Sequence, residues 1–470
     1  MSSTTVAVWE DDPIDAVHEP LPPAHEPVTH DLPDLDPPGL PVRVAGDSPA
    51  PDTYEPGSAE FRYWTLADAL ARGARFWSGL VPRGTTWQPD NGPKLVAVAD
   101  EGDDLNAFYD RNGLHFFHGQ VRGTSVFSGE SPDVVCHELG HAVLDAVKPE
   151  LFEVASAETS AFHESFGDCS AILANLQMES LRDAVLAETG GRLSTASRLS
   201  RLAESLGWAI RQLSPDGVAD DCLRQAVNSF YYTPPAELPP RAPACSLSSE
   251  PHSFSRVFTA GFFKVLAGVF AKQTQDSDGL LQASQDAGKL LVEGAIRARV
   301  VPGFFAQVAA SMVAADADLF GGRYQKVIVR AFVGTGVLSV HSAAEVGTGR
   351  ALATAEVATP EDETPPARVS LRGSSYGLPE DLVVRAASQP RRLGVASGMA
   401  DIGDATAPPA EDHAASFVED LLRQGRIAPD GADVGSAPIA ARAFTSHELV
   451  STPAGLELRR TAFHCGFDAR

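Results

Sequence analysis

His137-Glu-Leu-Gly-His141 places two imidazoles four residues apart. On a helix that spacing puts both on one face, where they can grip the same metal ion. Glu138 follows the first histidine, close enough to handle a proton on water held at that metal. A catalytic zinc site takes three protein ligands and keeps one position open. His163-Glu-Ser-Phe-Gly-Asp168, about twenty residues downstream, supplies candidates for the third. Glu164 and Asp168 share a helix face, so one carboxylate can bind metal while the other orients a ligand imidazole. In Pro251-His-Ser-Phe-Ser, a further histidine, His252, stands close to the start of a long apolar segment.

Elements must hold these groups in place. Trp64 to Gly79 carries Leu66, Ala69, Leu70, Ala74 and Trp77 at helical spacing, with Thr65 as its expected N-cap. Lys94 to Val98 reads as a short strand. Leu105 to His118 reads as a hairpin, because two apolar runs flank Asn112-Gly113, a pair that favours the positive backbone angles of a tight turn. Beyond the His-Glu-x-x-His helix the pattern is helical over 157–176, 195–213, 253–272, 278–298 and 303–315. A helix over Ala414 to Gln424 and a hairpin over His447 to Arg459 are expected near the C-terminus.

Over about residues 95 to 340 the chain resembles the gluzincin metallopeptidases, specifically the thermolysin-like and fungalysin-like families. Asn106-Ala-Phe-Tyr109 resembles their substrate-pairing edge strand, and Asp133-Val-Val-Cys-His-Glu-Leu-Gly-His-Ala-Val-Leu-Asp145 their active-site helix. His163-Glu-Ser-Phe-Gly-Asp168 is similar to their Glu-x-x-x-Asp helix, and Pro251 to Leu266 to the helix opened by a catalytic histidine. Another zinc-peptidase clan, marked by Gly and then His soon after the second histidine, is excluded because Leu144 and Val147 stand at those positions.

The resemblance implies one Zn²⁺ per chain, with His137, His141 and Glu164 as ligands and Asp168 as partner of a ligand histidine. It implies Glu138 as general base and His252 as the group that stabilises the oxyanion. Asn106 and Ala107 would hold the substrate backbone, and Phe127 and Val134 would help line an apolar pocket for the residue after the cut. Arg224 is the leading candidate for a substrate-binding arginine by its spacing before His252, with Arg211 and Arg256 as alternatives. Some positions depart from the family. Phe152 stands where a tyrosine hydroxyl is common, and Leu247 where an Asp would orient the second histidine, a role Glu250 could take. The acidic cluster of the family's Ca²⁺ site is not evident beyond Asp133, which leaves calcium doubtful.

The formal charge is −25, from 62 acidic and 37 basic residues. That disfavours general affinity for nucleic acid or anionic membrane. No run of apolar residues is long enough to span a bilayer, and the N-terminus lacks the basic and apolar regions of a signal peptide. The five cysteines, Cys136, Cys169, Cys222, Cys245 and Cys465, form neither a disulfide framework nor a Cys-x-x-Cys site. A cytoplasmic location is the default, with export by a non-standard route as the alternative. Residues 1–60 hold 12 of the 35 prolines and one Lys or Arg, Arg43, so they read as a disordered acidic segment.

The expected architecture is α+β: a two-lobed, zincin-type fold with a small β-containing N-terminal lobe over 61–150 and a helical lobe over 151–340. A linker at 341–375 leads to a small α/β region over 376–470 of unknown role. The expected activity is that of a zinc metalloendopeptidase acting on a peptide or protein substrate, on the amino side of an apolar residue. The rival expectation is a peptidase-fold protein that binds zinc but has lost turnover.

Overall fold

A computed structural model describes residues 4–13, 26–347, 367–388, 395, 397, 409–428, 445–453 and 455–466. The architecture is mixed α+β. Its central sheet has the order β15-β5-β6-β4-β3, built from β3 (Val42–Val44), β4 (Leu95–Val98), β5 (Ala107–Tyr109), β6 (Leu114–Phe116) and β15 (Phe463–His464). β3 and β6 run parallel to β4, whereas β5 runs antiparallel to β6; after β6 come β7 (His118–Val121) and β8 (Thr124–Phe127), an antiparallel pair of their own. Three helices form the spine: α1 (Ala59–Ser78), α2 (Pro132–Val147) and α3 (Ala157–Asn175).

The hairpin of β5 and β6 forms as expected, but its turn chemistry differs. The positive φ falls on Arg111, at 68°. Arg111 tolerates it because Nε and Nη2 of its guanidinium lie 2.7 and 2.6 Å from the two carboxylate oxygens of Asp145. Tyr109 donates its hydroxyl to the same carboxylate at 2.8 Å. That buried knot ties β5 to the end of α2. Gly113 is required for another reason: a Cβ there would sit 2.6 Å from the Val96 carbonyl oxygen.

The first helix begins earlier than expected. Ser58, not Thr65, is its N-cap, with a side chain that accepts from the Phe61 amide. Thr65 is buried, and its hydroxyl accepts from the Trp9 amide at 3.2 Å. Described parts of residues 1–60 are likewise ordered, against the disorder their composition predicts. In the described part, β1 (Thr5–Val8) pairs with β2 (Val28–Asp31), and β3 joins the central sheet. Proline and acid dominate the composition, yet Val6, Val8, Val42 and Val44 recur at strand period and are buried against the main core. His30 lies between Glu10 and Asp68, at 2.8 and 2.9 Å. His18 and His25 lie outside the described residues.

Helices follow through most of the middle of the chain: α4 (Glu179–Thr189), α5 (Glu204–Leu213), α6 (Pro251–Phe270), α7 (Ser277–Arg297), α8 (Phe304–Phe320), α9 (Gln325–Val333) and α10 (Val340–Gly347). The helix expected over 195–213 starts only at Glu204, after the short strand β9 (Arg201–Leu202), which pairs with β10 (Arg224–Gln225). By length and composition α6 is the one described helix that could cross a bilayer, but 78% of its apolar window is buried. It packs against α3 and α7 as a core helix. A single apolar core runs from the central sheet into these helices.

The linker expected over 341–375 is cut at both ends by structure, namely α10 and β11 (Ala367–Leu371); residues 348–366 lie outside the described part. β11, β12 (Leu382–Ala386), β13 (His447–Thr452) and β14 (Gly455–Arg460) form a sheet of order β11-β12-β14-β13. α11 (Ala410–Gln424) covers that sheet through Phe417, Val418 and Leu421. This region is docked on the body: Arg385 pairs with Glu153 at 2.7 Å, and Arg460 donates to the Phe152 carbonyl at 2.9 Å. The chain then leaves the small sheet, and β15 enters the central one.

Candidate metal and catalytic site

α2 begins with an N-cap at Ser131, whose hydroxyl accepts from the Val134 amide, and has Pro132 at its first position. Its register faces His137 and His141 toward α3. The two helices approach closely because glycines meet at the crossing. A Cβ on Gly140 would lie 2.9 Å from the Gly167 Cα, and one on Gly167 would lie 2.6 Å from the His137 ring. The Trp77 indole donates to Ser170 at 2.9 Å and stacks on Phe166, which fixes α1 against α3.

His137, His141 and Glu164 come together as expected. The Nε2 atoms of the two histidines are 3.1 Å apart, and Glu164 oxygens lie 3.4 Å from His137 and 3.7 Å from His141. Ligands on one tetrahedral zinc, at bond lengths of about 2.0–2.3 Å, are about 3.3–3.8 Å apart. The two Glu164 separations fall in that range and the histidine pair is about 0.2 Å closer, so the donor set suits a tetrahedral metal ion such as zinc in chemistry and nearly in spacing. Buried polar atoms crowd the same space without a well-formed hydrogen bond: both oxygens of Glu138, Oε2 of Glu164 and Nε2 of His252, the last two 3.2 Å apart. Such orphans are costly unless something occupies the space between them.

Asp168 lies behind His137, with Oδ1 at 3.1 Å from Nδ1. A proton on Nδ1 pointing at Asp168 leaves the Nε2 lone pair facing the cluster. Arg224 completes this arrangement, donating from Nε and Nη2 to Asp168 at 2.9 and 2.7 Å. Burial alone would raise the Asp168 pKa, but the Arg224 charge and the His137 contact hold it well below the carboxylate range. Glu138 is fully buried, and burial, reinforced by Cys465, pushes its pKa far up.

His252 is delivered by α6. Glu250 is the N-cap of that helix, accepting from the Ser253 amide at 3.0 Å through Oε2, while Oε1 lies 2.6 Å from His252 Nδ1. It thus occupies the orienting role left open by Leu247. His252 Nε2 then lies 3.2 Å from Glu164. Burial lowers the His252 pKa, but Glu164 and Glu250 outweigh it and raise it to about 10.

The substrate-side expectations fare unevenly. Val134 lines a narrow crevice with His137, Asp168, Arg224 and Cys465. Phe127 lines neither this crevice nor the larger cavity; its ring lies under the Arg62 guanidinium and beside His118. Arg224 lines both spaces, but its contacts with Asp168 make it a support for His137 as well. Arg211 pairs with Asp220, and Arg256 donates to the carbonyls of Ser246 and Ser253. Phe152 meets Tyr109 and Phe463 edge-on, so its ring fills apolar space. Asp133 is bound by the Asn175 side chain and the Ala203 amide. Asn106 and Ala107 sit at the expected strand, but β15 covers its outer side, and the Ala107 carbonyl accepts from the Cys465 amide at 2.8 Å.

Comparison with known proteins adds no identity: no family model matches the chain, and no curated protein matches it significantly.

Sequence reasoning missed one residue of the cluster. Cys465 offers a sulfur donor within 4.8 Å of the donor atoms of His137, His141 and Glu164, the one such group among the described residues. Burial would raise its thiol pKa, but His137, His141 and His252 together pull it well down. No local spacing marks it, because no second ligand stands near it in the chain. Beside Cys465 and Gly466 opens a cavity of about 360 Å³, lined also by Arg224, Arg241, His252, Arg256 and Arg426.

Proposed function

We propose that this chain is a zinc-dependent metalloendopeptidase with the two-lobed architecture of the gluzincins. The observation that carries the reading is the convergence of His137, His141 and Glu164 from α2 and α3 beside the buried carboxylate of Glu138. A zinc ion held by those three residues would supply a Lewis acid and make water a nucleophile near neutral pH.

The chain's own groups account for the rest. Glu138 accepts the proton of the attacking water and returns it to the leaving amine, a general acid–base role worth about 10²–10⁴-fold. His252, held by Glu250, presents an N–H to the carbonyl oxygen as charge develops there, worth about 3–4 kcal/mol. With its outer side freed of β15, β5 would give an extended substrate a strand to pair with and place the scissile bond beside the cluster. Asp168, held in turn by Arg224, keeps His137 in the tautomer whose Nε2 would face a metal ion.

Glu138→Gln keeps size and hydrogen-bonding atoms but removes the base. Introduced into whichever form cleaves, the full chain or one ending at Thr461, the zinc-loaded variant should hydrolyse a peptide library about 10²-fold or more slowly than its parent, with zinc content unchanged. Undiminished cleavage by that variant would sink the mechanism. The rival reading, a zinc-binding protein without turnover, draws support from Phe152, which lacks a hydroxyl. It would leave every peptide in the library intact in all forms of the chain.

A further inference from the structure

The C-terminal strand sits where a substrate would lie. Phe463 pairs with Tyr109 and His464 with Phe108, antiparallel, on the outer side of β5. The ladder continues through the Cys465 amide to the Ala107 carbonyl. Gly466 follows against Asn106 so closely that a Cβ would lie 2.5 Å from its Oδ1. The strand is pinned through the Phe463 ring. Phe463 stacks on His163 at 4.1 Å and on His141 at 4.9 Å, with the Arg460 guanidinium 4.3 Å over its ring. Arg460 in turn donates to Ser160 at 2.6 Å. Cys465, 4% exposed, is delivered by this register to the three metal-ligand candidates.

We propose that the segment Phe463–Gly466 is a built-in inhibitor: Cys465 fills the fourth position on the metal as a thiolate while β15 occupies the substrate's strand. The proposal rests on the metal-site reading above. A thiolate donor suits zinc, and coordination releases the thiol proton to solvent. Two other features agree with it. The sulfur lies within 4.8 Å of the donor atoms of His137, His141 and Glu164, and Cys465 lines the same cavity as His252, so it stands beside both the metal ligands and the oxyanion histidine. Phe463 uses the apolar surface beside Phe152 as an anchor. The full chain is therefore latent, and withdrawal of the last strand frees both the edge of β5 and the fourth position.

The test uses the full chain loaded with Co²⁺ or Zn²⁺ and two variants, Cys465→Ser and a chain ending at Thr461. Co²⁺-loaded protein should show the intense near-ultraviolet thiolate-to-metal charge-transfer band. Cys465→Ser should lose that band while keeping stoichiometric metal. A wild-type spectrum without the band, or a band that survives in Cys465→Ser, overturns ligation. A peptide hydroxamate, titrated calorimetrically into zinc-loaded protein, reads occlusion without needing turnover. It should bind the shortened chain at least about tenfold more tightly than the full chain, a difference of about 1.4 kcal/mol. Cys465→Ser should give an intermediate gain and serves if the shortened chain does not fold. Equal affinities overturn the inhibitory role. Peptidase activity is scored separately: a band and an affinity gain without cleavage by the shortened chain would retain the inhibitor and reject the peptidase. A chain that takes up no metal would reject both.

Discussion

His137 is the residue on which most of the site's supporting contacts converge. Asp168 holds its Nδ1, Arg224 holds Asp168, and Thr259 approaches the same carboxylate at 3.3 Å. Asp168→Asn keeps the shape but removes the charge that fixes the imidazole, so zinc affinity measured against a chelator should fall about 10–100-fold. Arg224→Met does something different. It strands a buried carboxylate, and chemical denaturation should show a loss of about 3–5 kcal/mol. At this scale much was legible. Two histidines four apart, followed by Glu164 and Asp168 four apart, declare a shared face through helix geometry alone. Glu250 was legible as a possible substitute for the absent Asp, since it lies two residues from His252. Its second role, capping α6, needed the helix start.

The crossing of α2 and α3 decides whether those faces meet. Gly140 and Gly167 permit it, and the His137 ring fills the space a methyl group on Gly167 would claim. Gly167→Ala should therefore push the ring aside, costing about 1–3 kcal/mol, and should weaken zinc binding in the same chelator competition. Stability without a change in zinc affinity would show that the ring had room to give. The elements were partly readable. Segments with clear apolar periodicity, α3, α6, α7 and α8, appeared within a few residues of expectation. α1 was found, but its start was misplaced: Thr65 looked like a cap, yet it is an interior residue whose hydroxyl serves Trp9. In the β5–β6 turn, Asn112-Gly113 carried the local signal, but the knot around Asp145 let Arg111 take the positive φ.

For the whole molecule, the ends of the chain carry much of the assembly. The β1–β2 hairpin is fastened to α1 through His30, whose contacts with Asp68 and Glu10 outweigh burial and raise its pKa from 6.5 to about 9. Folding thus favours the imidazolium, and its contribution is full below pH 6.5 and lost as pH climbs through 9. About a fifth of the His30 side chain is exposed, so screening leaves about 1–2 kcal/mol of it. In chemical denaturation, His30→Gln should be less stable than the parent by that amount at pH 6, and the two should converge above pH 9. A gap that stays constant across that range would show that the imidazolium is not responsible.

What the sequence determined by itself was local: helix faces, strand periods and the chemistry of side chains a few residues apart. Spacing along one element is enough to state that His137 and His141 share a face. The tertiary structure decided what distant segments do to that face. The acidic N-terminal stretch read as disordered because composition averages over a window, whereas four valines at strand period find burial only once α1 and β4 exist. Cys465 read as an isolated thiol because its partners stand hundreds of residues earlier in the chain. Only a strand added to β5 brings its sulfur to His137, His141 and Glu164.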